Sequence, residues 1–363
     1  MKKKLKDLLD YEQPAKYIVE TENYSDEYET PVLTAGKSFV LGYTDETKGI
    51  FEGTKESVII FDDFTRDTKF VNFDFKVKSS AMKILHKHNE FDSLKYLHYA
   101  IQNIKYVPFA HKRLWISDFS NFEIDYPNPA EQQKIAAELD TIQSAIDNKK
   151  QQLSLLDEAV KSEFVEMFGD VVQNSKNWER MEFEQLGEIA RGVSKHRPRE
   201  APELLGGNYP LIQTGDVANC DTYITEYSST YSELGLAQSK MWKAGCLCIT
   251  IAANIAKTGI LTFDACFPDS VVGFIPNDKV NQLYMHFWFS FFQSILEYQA
   301  PQTAQKNLNM ATLAKLKICV PPLTLQNQFA AFVQQIDKSK FIIKQQIADL
   351  KELLDSKMDE YFG

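Results

Sequence analysis

Positive charge is concentrated at residues 191–199, which read Arg-Gly-Val-Ser-Lys-His-Arg-Pro-Arg and contain no acidic residue. Such a cluster can bind phosphate groups, and arginine can also bind the edge of guanine. Ordinary solvated surface loops have similar compositions, and the residues alone leave both interpretations open. The candidate contact residues in this segment are Arg191, Ser194, Lys195, His196, Arg197 and Arg199.

A second candidate is the amide-rich segment at residues 302–307, which reads Gln-Thr-Ala-Gln-Lys-Asn. Glutamine and asparagine match the edge of adenine, but such residues are also common in simple turns. The matching place in the first half of the chain is residues 111–113, and this coincidence of position is a better argument than any single residue. The candidates outside 191–199 are Gln302, Thr303, Gln305, Lys306, His111, Lys112 and Arg113, with Lys37, Ser38, Thr65 and Arg66 weaker.

Signatures of catalysis are missing from the sequence. It contains neither a GxxxxGK[ST] phosphate loop nor a GxGxxG segment after a predicted strand. Asp62 and Asp63 are compatible with metal-dependent nuclease chemistry, but the second half of the chain has no matching carboxylates. His98 and His286 lie in apolar segments with helical spacing, which favours core histidines over metal ligands. The residues therefore favour binding over catalysis.

The candidate residues lie in two regions, each followed by a copy of the same segment. Residues 126–169 and 320–363 align without a gap and share, among others, Gln132/Gln326 and Phe168/Phe362. A sustained 4-3 spacing of apolar residues predicts a long helix with one apolar stripe in each copy. A helix of this length would span about 60 Å. The two stripes are most simply covered by each other; the alternative is that each packs on its own domain. The polar interruptions of the stripes are Lys149, Glu163, Lys340 and Lys357.

The regions before the two helices predict mixed α/β domains with the same order of elements. The first has strand patterns at Thr30–Leu33, Ser57–Asp63 and Lys69–Val77, and helix patterns at Lys4–Asp10 and Leu94–Ile104. In the second, Phe183–Ile189 predicts the opening helix. We predict domains at 1–125 and 170–319, with the helices at 126–169 and 320–363.

Length, charge and cysteine content limit the class of protein. A length of 363 residues suggests two or three domains. The net charge of −10 argues against indiscriminate nucleic-acid binding, but it leaves room for a local basic surface. The five cysteines are odd in number and form no CxxC pair, which favours reduced structural thiols over a zinc site. The sequence shows neither a membrane-spanning run nor a signal peptide, so we expect a cytoplasmic protein.

Two segments carry a resemblance to a known family. Residues 126–135 (YPNPAEQQKI) and 320–329 (VPPLTLQNQF) resemble the PLPPLxEQ motif that begins the long helices of specificity subunits of Type I restriction-modification systems. The first copy departs from that pattern at Asn128-Pro129. Residues 31–37 and 210–217 resemble the target-recognition domains of the family, and the likeness covers essentially the whole chain. Those domains vary too much for any base contact to be carried over.

The resemblance implies an α+β fold, with two mixed α/β target-recognition domains in tandem and two long helices paired as an antiparallel coiled coil. It further implies that each domain binds one half of a split double-stranded DNA site, and that the helix pair sets the spacing. The implied partners are two methyltransferase subunits, which would carry S-adenosylmethionine and modify adenine, and a translocating restriction subunit. This chain would hold no cofactor or metal and no catalytic residue. The alternatives are a coiled-coil scaffold with two protein-binding heads and a free-standing enzyme with an unrecognised site.

Overall fold

The computed structural model describes residues 1–34, 38–106, 113–171, 173–252, 255–299 and 309–363, with only the backbone described at 293–299. The chain divides into two units, one of residues 1–151 with 344–363 and the other of residues 152–343. Each unit holds one mixed α/β region, which we call a head, and a portion of both long helices.

The long helices have the bounds that the apolar repeat predicts to within a few residues. They are α3 (Pro129–Phe168) and α8 (Leu323–Phe362), each with 40 residues. The remaining α-helices within the described ranges are α1 (Leu94–Asn103), α2 (Leu114–Ser117), α4 (Thr214–Asn219), α5 (Glu233–Ala237), α6 (Gln282–Gln299) and α7 (Met310–Ala314). Short 3-10 turns lie at Leu5–Asp7, Pro14–Tyr17, Phe119–Asn121, Phe183–Gln185 and Pro202–Leu204.

The strands of each head form small sheets. Those of the first head are β1 (Lys2–Lys4), β2 (Leu9–Glu12), β3 (Thr30–Leu33), β4 (Val40–Thr44), β5 (Val58–Asp62), β6 (Thr68–Val71), β7 (Lys76–Val77), β8 (Met82–Lys87) and β9 (Glu123–Asp125). Those of the second head are β10 (Glu179–Glu182), β11 (Gly187–Arg191), β12 (Leu205–Leu211), β13 (Tyr223–Ile224), β14 (Ser229–Tyr231), β15 (Met241–Trp242), β16 (Leu247–Thr250), β17 (Thr258–Leu261), β18 (Ala265–Cys266), β19 (Val271–Pro276) and β20 (Lys317–Val320).

The sheets of the two heads have the same topology. The order β2-β8-β5-β6 in the first head matches β11-β19-β16-β17 in the second, which adds β13 at the edge. The order β4-β3-β7 matches β14-β12-β18, with β15 added, and the strand pair β1-β9 matches β10-β20. In both heads the pair β3-β7 or β12-β18 is parallel. The predicted tandem repeat of mixed α/β domains is therefore confirmed.

Three of the predicted elements are wrong in type or extent. Lys69–Val77 is not one strand: β6 pairs with β5, whereas β7 pairs with β3 in another sheet. The continuous alternation of apolar and polar residues in this segment arises because it contains two strands, and each buries its apolar residues in a different sheet. Phe183–Ile189 is a 3-10 turn followed by β11, because the edge of the sheet pairs the backbone from Gly187 onward. Lys4–Asp10 likewise holds a 3-10 turn and then the start of β2.

The two long helices run antiparallel in each unit. In the first unit, Ile135 and Leu139 of α3 share a core with Leu354 and Met358 of α8. In the second unit, Phe164 and Phe168 near the end of α3 pack on Phe329 near the start of α8, with ring centroids 5.4 Å apart in each case. The end of one helix thus lies beside the start of the other, as an antiparallel pair requires.

Two of the polar residues that interrupt the apolar stripes form ion pairs between the helices. Lys357 Nζ lies 3.1 Å from Glu138 Oε1, and Tyr361 donates a hydrogen bond to the other oxygen of Glu138 at 2.7 Å. Lys340 pairs with Asp157 in the second unit. Because each cation meets a carboxylate of the opposite helix, the interruptions favour this alignment of the helices over a shifted one.

A buried glutamine fixes the start of each long helix to its head. Gln132 Oε1 accepts a hydrogen bond from Ser93 N at 3.0 Å, at the N-terminus of α1, while its Nε2 donates to Pro127 O at 3.0 Å. The equivalent Gln326 accepts from Asn281 N at 2.7 Å and donates to Pro321 O at 2.8 Å. Each glutamine therefore joins the chain entering the long helix to the start of α1 or α6.

A tyrosine on the same head helix completes this junction. Tyr96 donates its phenol hydrogen to Asp125 O at 2.7 Å, and Tyr284 donates to Cys319 O at 2.6 Å. Their rings pack on the last phenylalanine of a long helix, Tyr96 on Phe362 at 5.2 Å and Tyr284 on Phe168 at 4.8 Å. Each head thus contacts the start of one long helix and the end of the other.

The two histidines predicted to lie in the core occupy equivalent helices; His286 is buried, and His98 is half-buried with its Nε2 atom shielded from solvent. His286 is 7% exposed, and its Nδ1 lies 2.9 Å from Thr258 Oγ1, at the start of β17. Burial lowers the pKa of His286 to about 4, and burial also lowers that of His98 to about 4. Both rings are therefore neutral at pH 7 in the folded protein.

These pKa values predict a loss of stability in mild acid. Between pH 6.5 and 4 the unfolded chain binds protons at His98 and His286 that the folded chain does not bind, so the free energy of unfolding falls as the pH falls. Each histidine would contribute about 3 kcal/mol over the whole window. Urea midpoints at pH 7 and pH 5 should show that His286→Gln weakens this dependence. His196→Gln, at an exposed position, is the control; equal acid losses in all three proteins would contradict the account.

Candidate nucleic-acid interface

The basic segment at 191–199 leaves the edge of a sheet at a position that only glycine fits. Arg191 ends β11, the edge strand beside β19, and Gly192 N donates to Val271 O at 2.8 Å. A Cβ atom at Gly192 would lie 2.1 Å from Phe267 O and 2.4 Å from Pro268 O. This close approach brings the segment beside Asp269, which follows Pro268.

A glutamine and a serine from a distant part of the second head hold the next residues. Gln238 Oε1 accepts hydrogen bonds from the backbone of Lys195 at 2.6 Å and of His196 at 3.0 Å. Ser239 donates its hydroxyl hydrogen to Val193 O at 2.7 Å. The backbone of the segment is therefore fixed by the end of α5, while the side chains of Lys195 and His196 are left exposed.

One carboxylate pairs with both arginines at the end of the segment. Asp269 forms an ion pair with Arg199, and its Oδ2 lies 3.5 Å from Arg197 Nη2. Arg197 also folds back on its own segment, since its Nη1 donates to Ser194 O at 2.6 Å and to His196 O at 2.8 Å. Because the arginine side chains are 56% and 43% exposed, these surface pairs stabilise little and an incoming phosphate can compete for them.

The other candidates in this segment differ in exposure. Arg191 is exposed beside the sheet edge. The side chain of Ser194 is buried, at 6% exposure, whereas its backbone carbonyl accepts a hydrogen bond from Arg197. The six predicted residues thus lie at the end of β11 and in the loop that follows it, with three side chains directed to solvent and two arginines held by Asp269.

In the first head, the two predicted arginines Arg66 and Arg113 have different surroundings. Arg66 has a left-handed backbone, with φ of 66°, and its guanidinium donates to Tyr106 O at 2.6 Å and to Ile104 O at 3.2 Å. Arg113 is exposed and occupies the N-cap position of α2. The structure therefore uses Arg66 to hold the chain after α1, and it leaves Arg113 at the surface.

Several predicted contact residues lie outside the described residues and stay predictions. They are Lys37, His111, Lys112, Gln302, Thr303, Gln305 and Lys306.

No pattern in the sequence indicated the two residues that hold the basic loop of the second head. Gln238 lies 43 positions from Lys195 and Asp269 lies 70 positions from Arg199 in the chain. Each is a common polar residue in an unremarkable segment, so only the fold reveals the contact.

The described part of the second head presents a basic loop suited to binding an anion. Within those ranges, no group of three or more His, Cys, Asp or Glu side chains is arranged to hold a metal ion. None of the helices in the described part of the chain is both long and apolar enough to cross a membrane. The loop offers an exposed lysine and histidine on a fixed backbone, with arginines that can exchange a carboxylate for a phosphate.

Comparison with known proteins connects this arrangement to one family. The family model described as the Type I restriction modification DNA specificity domain matches residues 1–158 and 175–352. The chain is 30% identical over 355 residues to the "Type I restriction enzyme EcoR124I/EcoR124II specificity subunit" of Escherichia coli, covering 92% of this chain and 85% of that protein. It is 21% identical over 228 residues to the "Putative type I restriction enzyme MjaX specificity subunit" of Methanocaldococcus jannaschii, covering 61% and 54%.

Solved structures show the same fold. The S subunit of a Type I restriction-modification system from M. genitalium matches with a TM-score of 0.60 at 14% identity, over 100% of this chain and 96% of that chain. A chain from a structure described as the basis of assembly and conformational transition of the Type I R-M system matches with a TM-score of 0.52 at 15% identity, over 99% and 97%.

Replacing Arg197 with alanine tests the loop directly. If Arg197 contacts a phosphate, Arg197→Ala should lower the affinity of the assembled complex for duplex DNA and reduce the slope of log affinity against log salt by about one. If Arg197 binds a base, one position of the recognised sequence should also relax, by about 1–3 kcal/mol. Binding titrations at several salt concentrations measure both effects.

Two further variants control this experiment. Lys243→Ala removes an equal charge from the same unit, at an exposed lysine whose Nζ lies 2.7 Å from Asp264, and should leave recognition unchanged. Asp269→Asn removes the competing carboxylate and should raise the affinity for DNA. Unaltered salt dependence and specificity in Arg197→Ala would exclude this arginine from the interface.

Proposed function

Since this chain belongs to the family of Type I restriction modification DNA specificity proteins, we propose that each of its heads binds one half of a split, asymmetric DNA sequence. The chain is a DNA sequence-recognition subunit and is not itself an enzyme. The observation that carries the two-half proposal is the repeated sheet topology, with unlike residues in the matching loops of the two heads. Two copies of one fold with different surface residues are suited to two different half-sites.

The loop at 191–199 is the proposed contact of the second head, and the region around Arg113 is that of the first. Lys195, His196 and the two arginines held by Asp269 would bind phosphates and base edges. The net charge of −10 is compatible with this role, because the local surface governs the contact and partner subunits can neutralise further phosphates. A DNA-bound subunit of this kind would act in the cytoplasm.

The proposed partners are two methyltransferase subunits and a restriction subunit. Support comes from the long helices of the second unit, where large apolar side chains are exposed although other residues of both helices are buried in the core of that unit. Leu155, Val165, Phe341 and Ile342 are 54%, 46%, 61% and 54% exposed. Apolar residues left at a helix surface suit contact with a partner protein. S-adenosylmethionine would bind to the methyltransferase subunits, and this chain would hold no cofactor.

A genome-wide map of methylated adenine tests the proposed function. In cells that express the methyltransferase partner, deletion of the gene for this chain should remove methylation at one split motif, because the partner loses its means of recognition. The motif would reveal both half-sites and the spacer. No difference between the two maps, with the methyltransferase shown to be active, would favour the scaffold alternative.

Lengthening both helices tests their role in setting the spacer. Four residues inserted after Gln151 in α3 and after Lys344 in α8 would lengthen each helix by about 6 Å. The preferred spacer should grow by about one or two base pairs, since base pairs rise by about 3.4 Å. Methylation of duplexes with graded spacers measures this. Insertion into α3 alone should disrupt the helix pairing, and an unaltered spacer in the double insertion would disprove the role.

A further inference from the structure

The short helix before the last strand of each head starts in a different way. In the second head, Asn309 is the N-cap residue of α7, and its side chain accepts a hydrogen bond from Thr312 N at 2.8 Å. Asparagine is among the best residues for this N-cap position. In the first head, Arg113 is the N-cap residue of α2, and within the described part of the chain its side chain forms no capping hydrogen bond. Arginine carries donors but no acceptor, so it cannot satisfy the first N–H groups of a helix.

Asp63 supplies the missing cap from the end of β5. Its Oδ1 accepts a hydrogen bond from Trp115 N at 2.8 Å, and its backbone carbonyl accepts one from Leu114 N at 2.9 Å. These are the first two N–H groups of α2. The carboxylate therefore caps the helix in place of residue 113, and it fixes the backbone on which Arg113 is carried.

The carboxylate of Asp63 is buried and is paired with a buried lysine. Both side chains have no exposed surface, and Lys83 Nζ lies 3.1 Å from Asp63 Oδ2. Neither of these two atoms forms a hydrogen bond to any other described residue. The lysine thus provides the counter-charge that lets an ionised carboxylate remain in the core.

The second head has apolar residues at both positions. Asp63 N donates to Ala81 O at 3.1 Å, and in the matching place Ile251 N donates to Ser270 O at 3.0 Å. Asp63 therefore corresponds to Ile251, which is 2% exposed.

The lysine is replaced in the same way. Lys83 lies opposite Phe61 in the β5-β8 ladder, and Val272 lies opposite Ile249 in the matching β16-β19 ladder. A buried ion pair is often no more stabilising than apolar residues of similar size, and the second head folds with such residues. Stability of the core alone therefore does not account for the ion pair in the first head, whereas the contact between Asp63 and α2 does.

We propose that Asp63, held by Lys83, is a positioning residue for the first half-site. Because Asp63 caps α2, the N-cap position of that helix can be occupied by Arg113, whose positive charge is exposed. This inference rests on the proposed function, because it assigns Arg113 to the DNA contact. The second head caps its helix with Asn309 and has no need of the buried pair.

The test places the two apolar residues of the second head at the matching positions of the first head. Asp63→Ile/Lys83→Val introduces the residue types of Ile251 and Val272 in the second head, and it removes the carboxylate that caps α2. In the complex with the methyltransferase, discrimination between cognate and singly mismatched first half-sites should fall about tenfold. Discrimination at the second half-site should stay within about twofold and serves as the internal control. Methylation of a duplex library randomised at each half-site in turn gives both values.

Two more variants separate positioning from a loss of folding. Asp63→Asn/Lys83→Met removes both charges but keeps an oxygen to accept from Trp115 N, so first half-site discrimination should be retained. Adding Arg113→Asn to Asp63→Ile/Lys83→Val should restore the melting temperature, since an N-cap returns, without restoring discrimination. A merely structural role would move stability and discrimination together in all variants.

The possible results are distinguishable. Unchanged first half-site discrimination in Asp63→Ile/Lys83→Val, or lost discrimination in a folded Asp63→Asn/Lys83→Met, overturns the positioning role. If the unmodified complex methylates no split site that depends on this chain, the proposed function fails instead. Asp63→Asn/Lys83→Met also keeps the proposal testable if the apolar pair does not fold.

Discussion

A buried glutamine at the start of each long helix is the connection on which the geometry of each unit depends. Gln132 and Gln326 use the oxygen and the nitrogen of the side-chain amide at the same time, one towards the head helix and one towards the chain that enters the long helix. Losing one partner of a buried polar group costs about 1–3 kcal/mol. A head held in this way moves with its helix, and the surface it presents has a defined direction relative to that helix.

The residues repeated between the two halves are those that make such connections, whereas the heads vary elsewhere. The tyrosine of the head helix and the terminal phenylalanine of the long helix recur as Tyr96 with Phe362 and as Tyr284 with Phe168. By contrast, a buried ion pair in one head stands where two apolar residues stand in the other. The core accepts both, because the two charges of the ion pair neutralise each other. The fold therefore constrains its junctions closely and tolerates different residues elsewhere in the heads.

The sequence was most informative where a physical pattern is local and repeated. The 4-3 spacing predicted both long helices, and the shared Gln132/Gln326 lay inside the aligned segments. Prediction was wrong for Lys69–Val77, because period-two alternation does not reveal that a chain leaves one sheet for another. Gln238 and Asp269 were missed for a related reason: their contacts with the basic loop close over long stretches of chain, and no local pattern records such a contact. The amide-rich candidates at 302–307 lie outside the described residues and stay predictions.

The pairing of Asp269 with two arginines also bears on how quickly a target is found. A genome offers very many sites that resemble the target only in having phosphates, and time spent on them delays arrival at the right one. Arginines that must first leave a carboxylate gain less from an arbitrary phosphate than free arginines would. If these arginines contact DNA as proposed, the competing carboxylate would shorten the time that the chain spends on unrelated DNA, by the small amount that an exposed ion pair allows.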